Sequence, residues 1–233
     1  YVKDFFKYKT ILNGVFKEDQ GIVKSQCEGY LQYNLKDYLV EKDTSFIKLC
    51  ANISSHITNI KSDPNINKSA FCEYTNYWLY DTLKSTQKEI TNYKALLRNF
   101  FQYLYNFEDC IEHNAEAIDE HIYINLKKLD ELYEKFYIFK NKSSTQDILP
   151  CDKGKECVQD YKSHKITCMG NGNNSFCNEL EYFRGLFNSH LKSETKCNDI
   201  KELPSFQGSP LAATISLPVS VMSAISFFSF ITY

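Results

Sequence analysis

Arginine is nearly missing from this chain: Arg98 and Arg184 are its only guanidinium groups among 27 basic residues, and the formal net charge is −2. Few bidentate forks and no excess of positive charge argue against nucleic-acid binding. Glycine and proline are also scarce, 8 and 5 in 233 residues, so long stretches run without a breaker. The sequence has no G-x-G-x-x-G, no Walker loop, no G-x-S-x-G and no H-E-x-x-H, so the sequence-local signatures of the common enzyme classes are absent and a non-enzymatic protein is expected. No two of the nine cysteines are spaced C-x-x-C, which argues against zinc ribbons and thioredoxin chemistry. The opening residues YVKDFFKYKTILNGVFKED are charged throughout and lack the form of a secretory signal.

Charge disappears altogether between Leu203 and Tyr233. Within that stretch the run Leu211 to Thr232 would rise about 33 Å as a helix at about 1.5 Å per residue, enough for a hydrocarbon core of about 30 Å. Ser216, Ser220, Ser223, Ser226, Ser229 and Pro218 dilute it, although bilayers tolerate serines that bond their own helix. A buried C-terminal helix is the competing reading, but Pro204, Gly208 and Pro210 mark a break from the preceding body. A single membrane span is expected at 211–232. Lys192, Lys196 and Lys201 are mixed with Glu194, Asp199 and Glu202, so charge does not set its orientation. The chain starts at Tyr1 rather than methionine and stops with the apolar run, and is read as incomplete at both ends.

The cysteines stand at 27, 50, 72, 110, 151, 157, 168, 177 and 197. Those from Cys151 to Cys197 share a stretch with Gly154, Gly170 and Gly172 and little periodic apolar pattern, which predicts a loop-rich region where disulfides contribute most. A metal knot of Cys157, His164, Cys168 and Cys177 is the alternative, with spacings that match no zinc template. The odd count leaves at least one thiol outside any intrachain bridge.

Elsewhere the periodicity is helical. Phe5, Tyr8, Ile11 and Leu12 share a face; further helices are predicted over Tyr30–Val40 and Thr44–Ile60, before a turn at Ser62-Asp63-Pro64-Asn65. Lys68 to Thr82 places Phe71, Thr75, Trp78 and Leu79 on one side as a core helix, with Cys72 beside them. From Thr86 to Asn141, Ile90, Leu97, Leu104, Ile111 and Ile118 recur every seventh residue, with Tyr93, Phe100 and Phe107 following the first three. Ile122, Leu126, Leu129, Tyr133 and Phe136 continue the pattern. Two long helices, or one broken near His113 to Glu120, are expected, packing within the chain as a bundle. Residues 143–150 read as a linker, and Phe176 to Leu191 as one more amphipathic helix.

Glu112-His113, Glu116 and Asp119-Glu120-His121 put carboxylates and imidazoles on successive turns, but adjacent pairs do not converge as a di-metal E-x-x-H set does, and a solvated face is expected. Asn52, Asn67, Asn141 and Asn173 open glycosylation sequons that an asparagine-rich chain supplies by chance. No catalytic, cofactor-binding or metal-binding residue is assigned.

The segment FCEYTNYWLYDTL, Phe71 to Leu83, resembles the C-x-Y-x-N-Y-W-L-Y-D motif of the Plasmodium interspersed repeat (PIR) antigens, specifically the vivax-type VIR proteins. The layout is similar as well: a cysteine at 27, CNELEYF at 177 to 183, LPSF at 203 to 206 and an apolar C-terminal run. The resemblance implies a variant antigen with a helical ectodomain, one membrane span and a short internal tail, exported toward the infected red cell. Antigenic variation, immune evasion and, for some members, adhesion to host cells would follow. The basic tail after the span is missing here, and no ligand carries over.

The expected protein is mostly α: a helical-bundle ectodomain over 1–202 with a cysteine-rich loop region at 151–197, a linker at 203–210 and a transmembrane helix at 211–232. The expected function is a variant surface antigen acting through loops such as 61–69 and 141–175, with host receptors or antibodies as partners. The alternative is an intracellular structural or trafficking protein of parasite-made membranes with reduced cysteines.

Overall fold

The computed structural model describes residues 2–12, 21–40, 42–62, 67–104, 107, 110–111, 116–141, 149–169 and 174–206. Its described secondary structure is entirely helical: a 3-10 turn at Val2–Asp4, then α1 (Phe5–Leu12), α2 (Gly21–Asn34), α3 (Thr44–Ser62), α4 (Lys68–Lys84), α5 (Tyr93–Tyr103), α6 (Glu120–Lys140), α7 (Leu149–Ser163), α8 (Lys165–Cys168) and α9 (Ser175–Ser193). Short polar side chains start four of these helices. Asp43 Oδ1 accepts from Phe46 N–H at 2.9 Å, Asn67 Oδ1 from Ala70 N–H at 3.1 Å, Asp119 Oδ1 from Ile122 N–H at 2.7 Å and Asn174 Oδ1 from Phe176 N–H at 2.9 Å. Each satisfies an amide that the first turn leaves without an intrahelical acceptor.

The chain divides into two compact units, Tyr1–Tyr133 and Glu134–Tyr233. In the first, α4 is the central element and packs on α1, α3 and α5, while α2 packs on α3 and α5. Rings fill the space between them. Trp78 stacks on Phe46 at 5.6 Å and meets Phe100 at 6.0 Å; Phe100 meets Tyr30 edge-on at 5.1 Å, and Phe5 stacks on Tyr77 at 5.2 Å. Gly29 on α2 lies against the Tyr103 hydroxyl so closely that a Cβ there would collide with it, and this lets α5 approach. Cys27–Cys50 ties α2 to α3 and Cys72–Cys110 ties α4 to the segment after α5, with Cα separations of 6.0 and 5.4 Å.

In the second unit, Phe136 and Phe139 of α6 pack on Phe187 and His190 of α9, and Tyr161 of α7 stacks on Phe183. Cys151–Cys197 closes the unit around Cys168–Cys177, with Cα separations of 5.6 and 5.5 Å. In the chain-entropy view, the four bridges stabilise by about 3 to 4 kcal/mol each.

Three expectations are corrected. The stretch from 151 is not loop-rich: α7 and α9 occupy most of it. The buried stripe of α7 is Gly154, Cys157 and Tyr161, spaced three and four apart, and two of these residue types do not register as a bulky apolar face. The expected long helix from Thr86 starts only at Tyr93, because Gln87 and Asn92 adopt positive φ values of 59° and 54° in the turn before it. Leu104 then ends α5 in extended conformation with no glycine or proline to announce it. The second helix begins at Gly21 rather than Tyr30 and is finished by Asn34. Among the described residues no helix is long and apolar enough to cross a membrane, and the candidate span at 211–232 lies outside them.

Candidate functional site

The most distinctive sequence motif is built into the core of the first unit. Asn76 is fully buried; its Nδ2 donates to Glu116 O at 2.8 Å, and the Tyr93 hydroxyl donates to its backbone carbonyl at 2.6 Å. The Tyr77 hydroxyl donates to Asp130 Oδ2 at 3.1 Å, beside Lys9 Nζ at 3.0 Å. Burial first, and the nearby Asp130 and Asp81 charges second, hold the Tyr77 hydroxyl protonated far above the ordinary range. Tyr80 packs edge-on against Tyr93 at 4.8 Å. Asp81 accepts from the Tyr123 hydroxyl at 2.7 Å and from Lys127 Nζ at 3.0 Å. Hydrogen bonding to Tyr123 is the main cause that raises the Lys127 ammonium, and the bond to Asp81 adds to it. Phe71, Thr75, Trp78 and Leu79 are buried as their spacing predicts. The motif is thus a bracket that joins α4 to α1, α3, α5 and α6, with the Asp81 carboxylate 41% exposed at its edge.

A second polar arrangement, which sequence reasoning missed, lies in the other unit. Glu181 of α9 accepts from Phe206 N–H at 2.7 Å, from Ser205 Oγ at 3.0 Å and from Arg184 Nε at 2.7 Å. Asn188 donates to Leu203 O at 3.0 Å and accepts from Leu203 N–H at 2.8 Å, as a neighbouring strand would. The Tyr161 hydroxyl donates to Pro204 O at 2.8 Å, and its ring stacks on Phe206 at 4.3 Å. Every residue of Leu203-Pro204-Ser205-Phe206 is therefore held. Glu181 belongs to CNELEYF, so two segments noticed separately in the sequence, CNELEYF and LPSF, are partners in space. Their only sequence signal is a single acidic residue one turn before Arg184, which does not point to a chain segment over twenty residues away.

The other candidates do not assemble. Cys168 and Cys177 are bonded to each other, so they do not form a metal knot with Cys157 and His164. Cys157, the cysteine outside the four disulfides, is fully buried, and burial pushes its thiol up to about 12. Glu112 and His113 lie outside the described residues; Asp119 caps α6 and Glu120 pairs with Lys84 at 2.7 Å. Among the described residues no group of three or more histidine, cysteine or acidic side chains is placed to hold a metal. Asn52 is 5% exposed and donates to Leu12 O, which removes it from the sequons available on the folded surface. Of the candidate variable loops 61–69 and 141–175, residues 63–66, 142–148 and 170–173 lie outside the described residues, and Leu149–Ser163 and Lys165–Cys168 are helical rather than loop.

None of the known protein families, curated proteins or solved structures compared with this chain matches it, and the family resemblance rests on its motif residues alone.

Proposed function

We propose that the chain is a non-enzymatic, membrane-tethered surface antigen of the PIR type, exported toward the infected red cell, in which a disulfide-bonded helical body carries variable segments. The observation that carries this reading is the cysteine pairing: eight of the nine cysteines lie in four bridges within the chain. Such a set persists in an oxidising or extracellular setting and is rare where glutathione keeps thiols reduced. Two further features agree. The motif side chains are occupied with packing, which suits a scaffold rather than a reaction, and function falls to the exposed segments that connect helices. In sequence the apolar run 211–232 begins after four residues that follow the clamped segment 203–206, which suits a stalk entering a bilayer.

Mass spectrometry of the whole chain in detergent, alkylated without reductant, tests the compartment. One alkyl group per chain after denaturation is the expected result. Nine alkyl groups on protein taken from its native membrane would move the protein to the intracellular structural reading. Display of the whole chain on a cell surface, followed by binding to host cells and immune sera, then tests recognition.

A further inference from the structure

Among the large apolar side chains on the surface of the second unit, two lie three residues apart at α8, Ile166 within it and Met169 just past its end. Ile166 is 89% exposed and Met169 58%, the former more exposed than any other large hydrophobic of the described chain. Both are held firmly. Cys168, between them, is bonded to Cys177 at the start of α9, and the His164 ring packs edge-on against Phe176 at 5.1 Å. Lys162 and Lys165, both exposed, lie four residues and one residue before Ile166. A fixed apolar knob with ammonium groups beside it is expensive in water and suits an anionic interface, where lysine stems lie along the apolar layer and their heads reach the phosphates.

The course of the chain says which interface. Tyr161, in the last turn of α7, stacks on Phe206 and bonds Pro204 O. Ile166 follows Tyr161 by five residues, so their Cα atoms are at most about 17 Å apart, and less with the intervening helical turns. Past Phe206 no charged residue occurs up to Tyr233. Phe206 is thus anchored on the residue five positions before Ile166, and the uncharged run continues from it in the sequence. Tyr182, 45% exposed, adjoins Glu181, which holds Phe206 N–H, and adds an aromatic side chain of the kind enriched at membrane surfaces.

The geometry points to an interfacial lipid contact: Ile166 and Met169 insert into the headgroup and upper acyl layer of the membrane that the 211–232 run enters, with Lys162 and Lys165 on anionic headgroups. This rests on the membrane-tethered reading above. It makes the second unit lie on the bilayer rather than stand off it on a free stalk.

The test reconstitutes the whole chain in vesicles of neutral and anionic phospholipid and compares Ile166→Trp with the parent, in which Trp78 is the single tryptophan, 8% exposed in the core and beyond the reach of lipid quenchers. A side chain inserted about 5–10 Å below the headgroup surface gives a blue-shifted added emission that lipids brominated high on the acyl chain extinguish. The expected result is loss of the added emission in Ile166→Trp. If vesicles carry the chain on flotation but the Ile166→Trp signal stays red and unquenched, the contact is overturned while the tether stands. A chain that does not float overturns the tether, and the contact with it.

Discussion

The Tyr93 hydroxyl donates to the backbone carbonyl of Asn76 at 2.6 Å and lies 2.8 Å from that residue's Oδ1, closing the loop before α5 onto the middle of α4. Both residues are buried, so removing either leaves a polar group without water to replace its partner. Tyr93→Phe is expected to destabilise the first unit by about 1–2 kcal/mol and Asn76→Ala by about 1–3 kcal/mol. The double variant should fall short of the sum by at least about 0.5 kcal/mol. Denaturant titration followed by Trp78 fluorescence measures all three.

Two helical glycines should respond to alanine with opposite signs. A Cβ on Gly154 would lie 2.5 Å from Ile200 Cδ1 and 3.1 Å from the Phe139 ring, whereas one on Gly185 meets nothing within 4 Å. Gly185→Ala should stabilise by about 0.5–1 kcal/mol through helix propensity alone. Gly154→Ala gains the same term but overpacks a buried site at a cost of about 1–3 kcal/mol, for a net loss. Thermal melts of the two variants against the parent check the sign.

Burial, aided by the Asp160 charge, raises the Cys157 thiol to about 12, and thiolate is the reacting species. The folded chain at neutral pH should take up no iodoacetamide at Cys157, and denaturant without reductant should release it. Peptide mapping after timed alkylation reads the site directly; rapid labelling of the native chain would contradict the burial.

Glu181 makes the LPSF clamp sensitive to acid. Burial alone would raise its carboxyl, but the hydrogen bonds from Phe206 N–H, Arg184 and Ser205 outweigh it and hold the group below its ordinary 4.5. Its contribution is therefore present above the unfolded value and is lost as pH falls through the lower, folded one. Protection of the Phe206 amide, its exchange relative to the intrinsic rate at the same pH, should be high at neutral pH and be lost as pH falls through the folded Glu181 value. In Glu181→Gln it should be low at both, which separates this clamp from a general acid transition.

The helices with bulky periodic faces were legible in the sequence. Lys68 to Thr82 became Lys68–Lys84, and Phe176 to Leu191 became Ser175–Ser193. In both, phenylalanine and leucine stand at helical spacing and an asparagine caps the start. What stayed hidden depended on residues whose packing is decided by neighbours. Gly154 and Cys157 form a helix face because Ile200, Phe139 and the rest of the second unit lie against it, and no local pattern reports that. The heptad spacing through Ile111 was misleading: Leu97 and Leu104 are buried, but the backbone turns at Leu104 and Ile111 ends 39% exposed. The Glu181 clamp escaped because a carboxylate that binds backbone amides leaves no trace in its own flanking residues.

The order of the disulfides along the chain bears on how such a protein can be inherited. Cys27–Cys50 closes before Cys72–Cys110 opens, and Cys151–Cys197 encloses Cys168–Cys177, with none interleaved. A genetic crossover falling anywhere between codons 111 and 150 would leave every bridged cysteine on the same side as its mate. Halves from two gene copies could therefore be joined through α6 without stranding a thiol, and new surfaces could be sampled by shuffling rather than by point change.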